Sequence, residues 1–268
     1  MQITNQTIVL KIIAGIFGTI LPIIILFLWK KKDVRLKPAI VGVITFIVFS
    51  QILEGIPKLI FFNGSTELSK YVWSHAWAYV LIGCLQAGIF EEIGRFVAFR
   101  FFLKKYDNPK DSITYGIGHG GIESILVLGI MSISSIAMAK MINDGTLMQS
   151  LNGLSEGQLN SINLQVTSLS QYGFFKMLLE VFERIIAMAL HISLSVVVFY
   201  AVHIKKIAYL FLAILFHSIF DIPAALFQCG IITHLWLAEI ILFAEAAACA
   251  LFAKKIYSKL NNIHTSQE

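Results

Sequence analysis

The chain has 268 residues, 57% of them hydrophobic and 14% charged, with a mean hydropathy of +0.77. Soluble domains carry roughly 45–50% apolar and roughly 25% charged residues, so this composition excludes a water-soluble enzyme, a disordered chain and a coiled coil. The net charge of +5 is spread over helix-flanking positions, which argues against nucleic acid as a partner, and Cys84, Cys229 and Cys249 have neither zinc-site nor disulfide spacing.

A membrane-crossing helix needs about 20 mostly apolar residues, and seven stretches qualify, at roughly 8–29, 39–62, 71–103, 113–141, 173–203, 207–227 and 234–253. The first is followed by Lys30, Lys31 and Lys32 rather than by a small-residue cleavage site, so it reads as a retained helix and not as a signal peptide. Basic residues follow spans one (Lys30 to Lys37), three (Lys104, Lys105, Lys110), five (Lys205, Lys206) and seven (Lys254, Lys255, Lys259). The stretch from Ile142 to Gln171 has no Lys or Arg and reads as a polar, mobile connection. Positive residues mark the cytoplasmic side, so the N-terminus is expected outside and the C-terminus in the cytoplasm. The expected fold is therefore an all-α, polytopic bundle of about seven transmembrane helices, a single transmembrane domain over 1–268.

Ionisable residues inside a bilayer cost a few kcal/mol each and mark function by default. Here they concentrate in four spans: Glu91, Glu92 and Arg95; His119 and Glu123; Glu180, Glu183, Arg184 and His191; His217 and Asp221. At a rise of 1.5 Å per residue, Glu91, Glu123, His191 and His217 all lie roughly 15–18 Å from the cytoplasmic ends of their spans. Four antiparallel helices thus place carboxylates and imidazoles in one layer. His217 and Asp221, and His119 and Glu123, are four residues apart and share a helix face. The same spacing makes Arg95 the expected partner of Glu91.

Two histidines with one or two carboxylates satisfy the ligand count of a catalytic divalent metal, with zinc the best match to the donors. One further glutamate can act as general base on water, and Arg95 or Arg184 can stabilise an oxyanion. Adjacent Glu91 and Glu92 point about 100° apart on a helix and must do different work. No serine nucleophile context, phosphate-binding loop or H-E-x-x-H is present. The glycines around His119 read as close helix packing.

The ordered motifs Glu91-Glu92-Ile-Gly-Arg95, Gly116-Ile-Gly-His119-Gly-Gly-Ile-Glu123, Glu183-Arg184 with His191, and His217-Ser-Ile-Phe-Asp221 resemble the superfamily of type II CAAX prenyl proteases, bacteriocin-processing relatives and PrsW-type proteases. Within it they are most similar to the YhfC-like intramembrane metalloproteases. The resemblance covers the third to sixth spans, a motif-bearing core at 71–227. It implies Glu91 and Glu92 as an acid/base pair beside Arg95, with Glu123, His191, His217 and Asp221 as metal ligands. His119, Arg184 and Glu183 would support them. The spacing E-E-x-x-R and the glutamate at position 123 depart from the CAAX pattern, so a prenylated substrate is not implied. The implied activity is metal-dependent endopeptidase cleavage of a membrane protein or lipid-anchored peptide within the lipid bilayer, with access from the cytoplasmic half. A cation or proton transporter is one alternative. The other is a non-catalytic scaffold with a vestigial site, since the superfamily also holds an Aph-type scaffold subunit.

Among the remaining charges, Lys11 is expected to snorkel outward and Glu54 to pair with Lys58. Glu180 and Glu183 are expected to neutralise Arg184. Glu245 is a candidate for a supporting role, and Trp29, Trp73, Trp77 and Trp236 mark the interfaces.

Overall fold

The computed structural model describes residues 2–151, 153 and 156–266. It is helical, with no strand among the described residues. The order is α1 (Asn5–Lys30), α2 (Lys37–Phe61), α3 (Glu67–Ser74), α4 (Ala76–Val97), α5 (Pro109–Asn143), α6 (Leu147–Ser150), α7 (Glu156–Ser170), α8 (Phe174–His203), α9 (Ala208–Gln228) and α10 (Leu235–Thr265).

Local chemistry sets the helix starts. Thr4 caps α1 by accepting from the backbone N of Thr7 at 3.2 Å, and Asn108 caps α5 by accepting from Lys110 N at 2.9 Å. Pro109 follows as the first residue of α5, where its missing N–H costs nothing. Three helices widen into π turns, at Ile47–Leu53 in α2, Ala98–Phe102 after α4 and Ile125–Ile130 in α5. Such turns collect at functional sites, and these three lie close in sequence to Glu54, Arg95 and Glu123.

Among the described residues, six helices are long and apolar enough to cross a membrane: α1, α2, α5, α8, α9 and α10. The expected third span differs. It divides at His75 into α3 and the 22-residue α4. Gln86, Glu91, Glu92 and Arg95 lower the apolarity of α4, and neighbouring helices bury all four. The last helix extends to Thr265, beyond its expected end. The connection expected to be mobile contains α6 and α7, while positions 152, 154 and 155 lie outside the described residues.

The bundle has one basic end. There the Lys110 ammonium donates to Lys32 O at 3.0 Å, and Arg35 pairs with Asp111 and stands over the Tyr106 ring at 4.4 Å. The hydrogen bond to Asp111 raises the Arg35 pKa. At the opposite end the Ile3 N donates to Asn143 Oδ1 at 2.7 Å, and the Tyr79 hydroxyl donates to Gln228 at 2.8 Å. Lys11 does not snorkel. Its ammonium reaches both oxygens of Glu180, at 3.0 and 3.1 Å, and covers the Tyr172 ring at 3.8 Å. A facing carboxylate on α8 is a better partner than a distant interface.

Ile12, Ile16, Ile20, Ile23 and Phe27 expose a continuous apolar stripe of α1. In α8, by contrast, nearly every residue from Ile186 to Ala201 is buried. A helix greasy on its outside and a helix enclosed all round are what a bilayer-embedded bundle requires. The protein is an integral, multi-pass membrane protein.

Candidate functional site

Close backbone approach builds the site. A Cβ on Gly118 would lie 2.0 Å from Ala39 O in α2, and one on Gly116 would lie 2.6 Å from Ile192 Cα in α8. Glycine at these positions lets α2 and α8 close on α5 around His119. His119 itself is wholly buried.

Glu91 Oε2 lies at the centre. It is 3.0 Å from His119 Nε2, 3.9 Å from His191 Nδ1 and 3.9 Å from His217 Nε2. Three imidazoles from α5, α8 and α9 thus face one carboxylate of α4. The second glutamate points elsewhere. Glu92 Oε1 accepts from His217 Nδ1 at 2.7 Å, and Glu92 Oε2 lies 3.2 Å from Arg95 Nε. The expected Glu91–Arg95 pair is therefore replaced by Glu92–Arg95, three residues apart and on the same face. Arg95 also donates to His191 O at 2.6 Å and Ser195 Oγ at 2.7 Å, and its Nη2 is 3.2 Å from His191 Nδ1. It is wholly buried and clamps α4 to α8. Ser195 carries no motif of its own, and only its four-residue spacing from His191 could have flagged it.

Glu123 contacts His191 Nε2 and accepts from Arg184 Nη1 at 2.9 Å. Arg184 Nη2 donates to Glu183 at 2.6 Å. Of the two glutamates expected to neutralise Arg184, Glu183 does so while Glu180 serves Lys11. His119 pairs with Glu91 rather than with Glu123. Asp221 stands at the rim, one-third exposed, with Oδ2 3.8 Å from His217 Nε2. On α10, Glu239 and Glu245 each keep a buried carboxylate oxygen without a hydrogen-bond partner among the described residues.

A cavity of about 390 Å³ opens onto this cluster. Glu91, Glu123, Glu183, Arg184, His191, His217 and Asp221 line it, whereas Glu92 and Arg95 are 0% exposed. From the cluster the lining steps away along Ser50, Glu54 and Lys58 of α2 and along Ala224 and Gln228 of α9. That direction leads to the end opposite the basic loops. Toward the basic end, Phe99 packs against Tyr115 with ring centroids 4.6 Å apart and against Phe199 at 5.2 Å, all of them buried. These rings belong to the packed core and do not line the cavity, which therefore runs away from the end expected to be cytoplasmic. Glu54 pairs with Lys58 at 2.9 Å as expected, and it also lines the cavity.

The donor chemistry fits a divalent metal. Donor atoms of Glu91, His119 and His191 all lie within 4.8 Å of one another. Glu92 accepting from His217 Nδ1 leaves the Nε2 lone pair of His217 facing Glu91, the carboxylate–histidine arrangement that orients metal-binding imidazoles. Glu123 Oε2 faces His191 Nε2, so a carboxylate oxygen and an imidazole nitrogen stand side by side at the cavity wall. Mixed imidazole and carboxylate donors suit zinc and its first-row neighbours.

A model of the family described as YhfC intramembrane metalloprotease matches residues 17–242. The chain is also 37% identical over 261 residues to the "Uncharacterized membrane protein YhfC" of Bacillus subtilis (strain 168), covering 96% of this chain and 100% of that one. No solved structure matches.

Proposed function

The chain belongs to the YhfC intramembrane metalloprotease family, and from that premise we propose that it is a zinc-dependent endopeptidase of the bacterial plasma membrane that hydrolyses a peptide bond of a membrane-associated substrate. The observation that carries this reading is the unequal burial of the glutamate pair. Glu91 faces the cavity among three imidazoles, while Glu92 is sealed behind His217 and Arg95.

In this reading Glu91 is the general base and later returns the proton to the leaving amine. His119 steadies its carboxylate from the side away from the cavity. Glu92 holds the His217 ring in the tautomer whose Nε2 faces the site. Arg95 compensates the buried Glu92 charge and fixes the His191 backbone. Arg184 reaches the cavity and supplies positive charge to a developing oxyanion. His191, His217 and Glu123 would hold the ion, with Asp221 at the rim. The ion supplies Lewis acidity toward a carbonyl and toward water.

A second arrangement is favoured by the tight group of Glu91, His119 and His191, in which Glu91 would itself be a ligand. One experiment separates the two. Glu91→Gln that keeps bound zinc, read by elemental mass spectrometry of purified protein, but no longer hydrolyses a peptide supports the base. Loss of zinc together with hydrolysis supports the ligand. Full hydrolysis in the variant overturns the endopeptidase reading. The packing of Phe99, Tyr115 and Phe199 on the basic side of the cluster, outside the cavity lining, favours a closed-ended reaction cavity over a transport path.

A further inference from the structure

The approach to the site has a shape of its own. Helices α4 and α9 approach closely at Gly88, where an added Cβ would run into Ser218 Oγ and would sit 2.9 Å from Ile214 O. One turn nearer the end opposite the basic loops Cys84, on the same face of α4 as Gly88, is also buried. Gly83, on the neighbouring face of α4, looks toward α2 instead, where a Cβ would meet only Phe62 Cζ, at 3.7 Å. Two hollows flank this seam. On the inner side a vestibule of about 530 Å³ is lined by Phe62, Trp73 and Tyr79 and shares Lys58, Asp221, Ala224 and Gln228 with the reaction cavity. On the lipid side a groove of about 550 Å³ is lined by Trp77, Leu81, Leu85, Ile219 and Ile222. Cys84 lines both, and the Tyr79–Gln228 hydrogen bond bridges the two helices at 2.8 Å.

We propose that this seam is the docking surface for one kind of partner, a transmembrane helix continued by an extended segment on the non-cytoplasmic side. The helix lies in the lipid-facing groove, and the extended segment crosses the α4–α9 seam into the vestibule and reaches Glu91. The proposal rests on the endopeptidase reading for the fate of that segment and on the basic end being cytoplasmic. Three observations select this occupant. The groove is apolar and open to lipid, as a helix requires. The vestibule combines aromatic walls with Asn63, Gln228 and Lys58, which suits a chain whose backbone groups must still find partners. The vestibule shares its lining with the reaction cavity, and that cavity does not extend toward the basic end, where Phe99, Tyr115 and Phe199 pack together.

The test reads access and occupancy, not catalysis. In full-length protein with Cys84→Ala, Cys229→Ser and Cys249→Ala, a single thiol is introduced as Ala224→Cys, and in parallel as Gln228→Cys should the first not fold. A charged, membrane-impermeant methanethiosulfonate is applied to right-side-out and inside-out vesicles. The expected result is labelling several-fold faster from the outer face. A leucine-rich transmembrane peptide of about 20 apolar residues carrying a polar tail should slow that labelling when the tail lies outside, and not when it lies inside. Labelling from the cytoplasmic face alone, or from neither, overturns the route. Protection by both peptides alike means that any apolar chain, lipid included, fills the groove, and it overturns the helix-with-tail partner. Because neither readout uses zinc or hydrolysis, failure here and failure of Glu91 chemistry are separate results.

Discussion

Glu92 accepts a hydrogen bond from Nδ1 of His217 at 2.7 Å, and this contact turns the other ring nitrogen toward Glu91, whose Oε2 lies 3.9 Å from it. Two adjacent glutamates thus act on opposite sides of one imidazole. One orients the ring from the protein interior and the other faces it across the cavity. The consequences for substitution differ.

Glu92→Gln removes the acceptor charge behind His217. Loss of a carboxylate that orients a ligating histidine weakens metal binding by roughly 10–100-fold. Titration of zinc into the purified variant should show that weakening. In Glu91→Gln zinc binding should persist while peptide hydrolysis falls by roughly 10²–10⁴-fold, the range of a lost acid/base group. Equal zinc affinity in the wild type and Glu92→Gln would remove the orienting role.

Arg95 is wholly buried between Glu92, Ser195 Oγ and His191 O. Arg95→Ala leaves the Glu92 carboxylate buried without its cation, a change that costs about 3–5 kcal/mol. Detergent-solubilised variant should unfold at clearly lower temperature. In Arg95→Ala with Glu92→Gln, which removes both charges, part of that loss should return. No recovery in the double variant would mean that the charge pair is not what Arg95 serves.

The glycine contacts predict opposite signs at two positions. Gly118→Ala drives a methyl group into Ala39 O and should destabilise by about 1–3 kcal/mol, the usual cost of overpacking. Gly55→Ala in α2 meets nothing within 4 Å and should gain up to about 1 kcal/mol through helix propensity. Thermal unfolding of the two variants side by side checks both signs.

Metal removal should be visible without a substrate. A ligand that binds only the folded state stabilises it by about 2.7 kcal/mol at 100 times its Kd. Chelator should therefore lower the unfolding temperature of the wild type, and added zinc should restore it. His217→Ala should resemble the chelated wild type and respond to neither treatment. A wild-type melting curve indifferent to both would count against a structural contribution from the metal.

Much of the site was legible before any tertiary information. Charges inside greasy spans at one depth picked out Glu91, Glu123, His191 and His217, which the fold brings to one cavity. That worked because the depth of a residue along a helix follows from its distance to the helix end. Rotation about the helix axis does not follow from it. The pairing of Arg95 was expected with Glu91 and falls on Glu92, and His119 was expected beside Glu123 and meets Glu91. Both cases turn on which face α4 and α5 present to their neighbours.

Hydropathy, basic loops and the cost of burying charge are properties of single segments. They determined by themselves a multi-pass helical membrane protein with an ionisable layer at its heart. The tertiary structure alone decided that Glu91 faces the cavity while Glu92 is sealed behind His217. It also decided that the cavity opens away from the basic end. The physical reason is packing. Close approach at Gly88 and Ser218, at Gly116 and Ile192, and at Gly118 and Ala39 sets the rotation and spacing of the helices. Such contacts join residues far apart in the chain, so no single segment contains them.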